Sequence, residues 1–411
     1  MKKKISVLIL CLLYLLTACG GPSYSAEVLS SGDRKSPSKE VDLTGPGAQA
    51  ATDFAVELLQ NTDTGGNVLL SPVSVLCAMA MTANGAAGET RAQMEDTLGL
   101  PVEDLNVYLQ AYADALPEDK EARCSLANSV WFRDDADRLT VEPSFLDICS
   151  DYYGADLFQA PFDDSTLDDL NAWVSDRTDG LIPSILGDIP DSAMVYLVNA
   201  LAFDGQWASV YRENQIHEGL FTTADGTQQP ANFMYSQEYT FLEDEQATGF
   251  LKYYKGKTYA FAALLPNEGV SLADYIASLT GEKLRDTLTS AREEAVETAI
   301  PQFTAQYSTE LSAVLANLGM TDAFDASQAD FSSMGSSPDG PLYISQVLHK
   351  AFLALDAQGT RAGAATVVEV DTGSDNTPGR TVYLDRPFLY LLVDCAANLP
   401  LFIGAVSDLE N

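Results

Sequence analysis

Ala357-Gln358-Gly359-Thr360-Arg361-Ala362-Gly363-Ala364-Ala365-Thr366-Val367-Val368-Glu369-Val370-Asp371-Thr372 separates into two sets when read by twos. Thr360, Ala362, Ala364, Thr366, Val368, Val370 and Thr372 carry no charge, whereas the alternate positions hold Arg361, Glu369 and Asp371. A period of two is that of a β-strand, so one face of the stretch is fit for burial. From Thr360 to Thr372 it would span roughly 43 Å at about 3.3 Å per residue, more than twice an ordinary strand. Gly373-Ser374-Asp375-Asn376-Thr377-Pro378-Gly379 follows and is loop chemistry throughout. Periodicity alone leaves two readings open. One is a fixed strand ending in a surface loop; the other is a segment that is a loop in one state and a strand in another.

Around this stretch, apolar runs alternate irregularly between strand and helix patterns. Phe388 to Val393 and Leu401 to Val406 flank the turn Asn398-Leu399-Pro400. Thr309 to Leu318 reads as a helix closed by Gly319, and Thr258 to Leu265 as a strand stopped by Pro266. Ala193 to Phe203 reads as a central buried strand, Leu167 to Thr178 as an amphipathic helix ended by Gly180, and Ala127 to Phe132 as a strand. Val68-Leu69-Leu70 is a short strand before Ser71-Pro72, a serine cap and first-turn proline that open a helix running to Asn84-Gly85. Gln49 to Leu59 repeats at helical spacing. With no internal repeat and no regular strand-helix-strand period, the fold class is α+β rather than doubly wound.

The N-terminus reads as an export signal. Lys2, Lys3 and Lys4 precede an apolar run from Ile5 to Leu16 that is too short for a membrane span. Leu16-Thr17-Ala18-Cys19 resembles a bacterial lipobox, which implies a signal peptide over 1–18 and a lipid on Cys19. The chain would then be exported and held at a bacterial cell-surface or envelope membrane. Residues 19–47 are poor in apolar side chains and are expected to form a flexible tether, with a single domain over 48–411.

The formal charge is −36, and loss of the three N-terminal lysines takes it to −39. Such a surface repels nucleic acid and steers cationic partners inward. No zinc-protease helix, Cys-x-x-Cys pair, Gly-x-Ser-x-Gly elbow or phosphate-binding loop is present, so neither an enzyme nor a metal or cofactor site is expected. Cys77, Cys124, Cys149 and Cys395 share no spacing, which leaves their pairing open with free thiols as the default.

Several motifs in order resemble the serpin family of serine protease inhibitors. They are Asn67 to Ser74 with Asn84 to Thr90, Ala127 to Phe132, Leu170 to Val174, Leu197 to Trp207, His349-Lys350-Ala351, Gly359-Thr360 and Asp385-Arg386-Pro387-Phe388. The resemblance implies three β-sheets, about nine helices and an exposed reactive-centre loop near the C-terminus. It implies covalent suicide trapping: a protease cuts the loop, is acylated, and is dragged away as the upstream half inserts into the main sheet. Gly359, Thr360, Arg361, Ala362, Gly363, Ala364, Ala365 and Thr366 would be the hinge. Gly373-Ser374 would be the reactive bond, with Thr372, Val370 and Val368 as alternative bait residues. These small or β-branched residues suit elastase-like or subtilisin-like serine proteases, with a cysteine protease as a further candidate. Ser71, Ser74, Asn199 and His349 match the family's polar cluster under the opening sheet, and Trp207 the tryptophan where insertion begins. Arg361, and Ala357 before it, depart from the family, whose inhibitory members usually carry acidic residues there; a non-inhibitory serpin is the competing reading. The expected molecule is a monomer.

Overall fold

The computed structural model describes residues 24–32, 34–62, 66–117, 122–360 and 379–409. In chain order these form β1 (Glu27–Ser31), α1 (Pro46–Asn61), β2 (Val68–Leu70), α2 (Pro72–Gly85), α3 (Gly88–Leu98), α4 (Val102–Ala115), β3 (Ala122–Arg133), β4 (Thr140–Val141), α5 (Pro143–Tyr153), β5 (Asp156–Ala160), α6 (Asp164–Arg177) and β6 (Val195–Gln206). Then follow β7 (Ile216–Thr222), β8 (Gln228–Glu243), β9 (Ala247–Tyr253), β10 (Tyr259–Pro266), α7 (Leu272–Ser278), α8 (Gly281–Thr289), β11 (Arg292–Pro301), β12 (Phe303–Glu310), α9 (Ser312–Asn317), β13 (Gly335–Ser336), β14 (Leu348–Leu355), β15 (Gly359–Thr360), β16 (Arg380–Tyr383), β17 (Phe388–Asp394) and β18 (Leu399–Val406).

Three sheets and nine α-helices among the described residues make this an α+β fold. A seven-stranded sheet runs in the order β1-β5-β3-β6-β15-β14-β12. A nine-stranded sheet runs β16-β11-β8-β9-β10-β17-β18-β2, with β7 also on β8, and β13 pairs with β4. Hydrophobic patterning explains the layers. Every residue of β10, β17 and β18 is buried, as continuous apolar runs require. Helix α2 is apolar on nearly all sides and lies between the layers. Helix α6 covers the seven-stranded sheet, where Trp173 and Leu170 pack with Trp131, Phe158 and Val198. The Asp163 carboxylate caps this helix by accepting from the Ser165 and Thr166 amides.

Three expectations need correction. Residues 24–47 are not a free tether. β1 adds to the sheet edge antiparallel to β5, the Tyr24 ring meets Phe158 at 5.4 Å, and Asp169 Oδ2 collects the Ser25 and Ala26 amides and the Ser25 hydroxyl. A few directed contacts hold a segment whose composition reads as disordered, and α1 already begins at Pro46. The helix expected from Thr309 is a strand to Glu310 followed by α9, because β12 pairs with β14 along its whole length. Ser71 does not cap α2 with its side chain; its amide goes to His349 instead. All four described cysteines are free, and Cys77, Cys124 and Cys149 are buried.

Candidate functional site

Among the described residues, the seven-stranded sheet is incomplete at its centre. β6 spans twelve residues and pairs with β3 along most of its length, yet its other edge meets β15 only at Gly205 and Gln206. β15 in turn meets β14 only through Thr360 and Leu355. Below this two-residue wedge, β6 and β14 face each other across a cavity of about 290 Å³. Open flanking explains why the apolar residues Val195, Tyr196 and Leu197 of this central strand are only half-buried.

The top of the slot is tightly fastened. At Gly359 a Cβ would collide with the Gly205 carbonyl oxygen, so glycine is required by the close approach. Thr360 is buried, and its hydroxyl shares a 2.5 Å hydrogen bond with the Tyr254 hydroxyl. The Tyr254 ring stacks on Trp207 at 4.4 Å. Trp207 donates from its backbone to Gln358 O and from Nε1 to Asp356 O, both at 2.9 Å. The Tyr211 amide donates to Ala357 O, and Asp356 Oδ1 closes the turn by accepting from the Gln358 and Gly359 amides. Beneath lies a buried ion pair, Lys252 Nζ to Glu238 Oε1 at 2.7 Å, with the ammonium 4.3 Å from the centre of the Tyr211 ring. Burial pulls Lys252 down, but Glu238 and Tyr211 outweigh it and leave the ammonium above its ordinary value.

Four polar residues line the lower slot together: Ser71, Ser74, Asn199 and His349. His349 Nε2 accepts from the Ser71 amide at 3.2 Å, so that nitrogen carries no proton. Burial pushes the imidazole down to about 4, against a hydrogen bond to the Leu69 backbone that acts the other way. Asn199 Nδ2 donates to Asn128 Oδ1 at 2.6 Å. Ser71 Oγ and Asn199 Oδ1 are buried without a hydrogen-bond partner among the described residues, an arrangement that is costly unless another state supplies donors.

Of the residues singled out from sequence, Trp207, Gly359 and Thr360 thus meet at the top, and Ser71, Ser74, Asn199 and His349 meet below. Cys19, Arg361, Ala362, Gly363, Ala364, Ala365, Thr366, Val368, Val370, Thr372, Gly373 and Ser374 lie outside the described residues. Sequence reading missed Lys252, Glu238, Tyr211, Tyr254 and Asp356. The one available sign was Lys252, a cation inside the apolar run Phe250 to Tyr254, which demands a buried partner.

A family model described as serpin (serine protease inhibitor) matches residues 49–409. The chain belongs to the serpin family. Human leukocyte elastase inhibitor is 30% identical over 380 residues, covering 88% of this chain and 99% of that protein. Serpin B6 of Pongo abelii is 31% identical over 378 residues, with the same coverage. Among solved structures, the thermophilic serpin tengpin in its native state is 42% identical and superposes with a TM-score of 0.88, covering 93% of this chain and all of that one. Serpins are mostly protease inhibitors, and this serpin shares their α+β fold of three sheets.

Proposed function

We propose that this serpin inhibits serine proteases by covalent suicide trapping with reactive-loop insertion. The observation that carries the reading is the seating of Gly359 and Thr360 as a two-residue strand between β6 and β14, above a slot that no other described strand fills. Extending that antiparallel register, each further loop residue meets one residue lower on β6 and on β14. Ala362 falls opposite Phe203 and Leu353, Ala364 opposite Leu201 and Ala351, and Thr366 opposite Asn199 and His349. All belong to the uncharged set headed by Thr360, which is itself buried, and in the proposed strand that set would face the protein. Thr366 would bring a hydroxyl to the level of Ser71 Oγ and Asn199 Oδ1, the two buried oxygens without partners.

In the proposed reaction the protease's serine attacks the Gly373 carbonyl. The Gly373–Ser374 bond breaks, the Ser374 amine leaves with a proton, and an acyl-enzyme ester remains. Insertion then competes with hydrolysis of that ester. Each ladder hydrogen bond contributes only about 1 kcal/mol net, while ordering a residue costs about 1–2 kcal/mol. Burial of the neutral face and relief of the unpartnered oxygens must therefore drive insertion. Ala362, Gly363, Ala364 and Ala365 pass with little displacement of β6 and β14. Small or β-branched bait residues, and similarity to an elastase inhibitor, point to elastase-like or subtilisin-like targets. Export and lipidation at Cys19 complete the proposal and place the inhibitor at a bacterial membrane face.

Incubation with pancreatic elastase and with subtilisin, followed by a denaturing gel, tests this reading. A band of summed mass that survives SDS and boiling supports trapping. A clipped chain alone identifies a non-inhibitory serpin.

A further inference from the structure

A second cavity, a polar pocket of about 450 Å³, opens where the N-terminal segment passes the edge of the seven-stranded sheet. Ser31, Arg34, Asp114, Asn128, Asp156 and Arg177 contribute its polar groups. Two of its four charges satisfy each other: Arg177 donates to Asp156 Oδ2 at 2.6 Å, and Trp173 Nε1 donates to the same oxygen at 2.8 Å. Arg34 is different. Its Nε is buried with no hydrogen-bond partner among the described residues. Asp114, exposed near the end of α4, acts on it only electrostatically, and burial pulls the guanidinium below its ordinary value.

The backbone that presents Arg34 is pinned. Its amide donates to Gly32 O, the Lys35 amide donates to Asp151 O, and Gln110 Nε2 bridges Lys35 O and Asp151 O. Arg34 is half-buried and keeps its proton, and a buried donor such as its Nε is costly to leave without a partner. A guanidinium carried on a pinned backbone and lining a polar pocket suits a planar carboxylate or a phosphate group. We propose that this pocket binds a small oxyanion, a phosphate or carboxylate group, with Arg34 as its principal ligand. The site is separate from the slot, although Asn128 of the pocket accepts the Asn199 hydrogen bond and so stands one contact from it.

Titration of the full chain with inorganic phosphate and, separately, with acetate tests the site, at constant ionic strength against chloride. Calorimetry gives the stoichiometry, and the melting temperature gives linkage. One-site binding is expected with a saturating rise in melting temperature. Arg34→Gln should weaken it at least tenfold, and Asp114→Asn, which removes the competing carboxylate, should tighten it. Response to phosphate alone assigns a phosphate-bearing ligand, and response to acetate as well admits carboxylates. If neither anion saturates in the unmutated chain, or if both variants bind as it does, the site is refuted. Should Arg34→Gln fail to fold, Arg34→Lys keeps the charge but loses the fork, and unchanged affinity there counts equally against the proposal.

Discussion

Replacing Thr360 with Arg should turn this serpin from an inhibitor into a substrate. Thr360 is 2% exposed, opposite Gly205 and Leu355, with its hydroxyl on Tyr254. The nearby carboxylate Glu238 is already committed to Lys252. A guanidinium at 360 would therefore swing β15 out of the sheet in the uncut chain, and seating it there as insertion begins would cost about 3 kcal/mol or more. If the inserting strand feels that cost in its rate-limiting step, insertion slows about a hundredfold, since each 1.4 kcal/mol is about a factor of ten. An inhibitor that inserts about ten times faster than its acyl-enzyme hydrolyses would then insert about ten times slower, and most encounters would end in release of active protease. The assay is the stoichiometry of inhibition of elastase, with SDS-stable complex read on a gel. Thr360→Ser keeps the hydroxyl and should remain an inhibitor. A Thr360→Arg variant that folds and still forms complex at the unmutated stoichiometry would refute insertion through this hinge.

Thr366→Val should leave the intact protein unchanged but weaken the loop-cut form by about 1–3 kcal/mol, because Ser71 Oγ and Asn199 Oδ1 would stay unmet; guanidinium unfolding of cut and uncut samples measures this. His349, held at about 4 against an ordinary 6.5, favours the neutral form in the fold, so the unfolded chain binds more protons between those values. Stability from this group is complete above about pH 6.5 and falls by about 3 kcal/mol as pH drops toward 4. His349→Gln should flatten that part of the stability–pH curve. Glu238→Gln leaves Lys252 buried and unpaired beneath Tyr211 and Trp207, and should cost about 3–5 kcal/mol in chemical denaturation.

Much of the fold was readable because single runs carried a clear period or a fully apolar face, as in Phe388 to Val393 and Leu401 to Val406. The alternation that starts at Thr360 is legible in the same way, and its residues from Arg361 on lie outside the described residues. Where partners are distant in sequence, the reading failed. Nothing local tells that Asp169 will collect the amides of residues 25 and 26, or that the strand containing Thr309 will pair with the one containing His349. The polar groups of the slot came from family resemblance, since Ser71, Asn199 and His349 have no spacing in common. The fastening under the hinge was missed because Glu238, Lys252 and Tyr211 are brought together only when β8, β9 and the turn after Trp207 pack. Arg34 was hidden inside a segment whose composition suggested no structure at all.

The most direct test is the melting temperature before and after a single cut in the loop between Thr360 and Arg380, with the two fragments left together. Conversion of the neutral face into a central strand predicts a marked rise in stability, with residues 361 to 372 becoming resistant to further proteolysis. An unchanged melting temperature, with that segment still digestible, would contradict insertion whatever the fold.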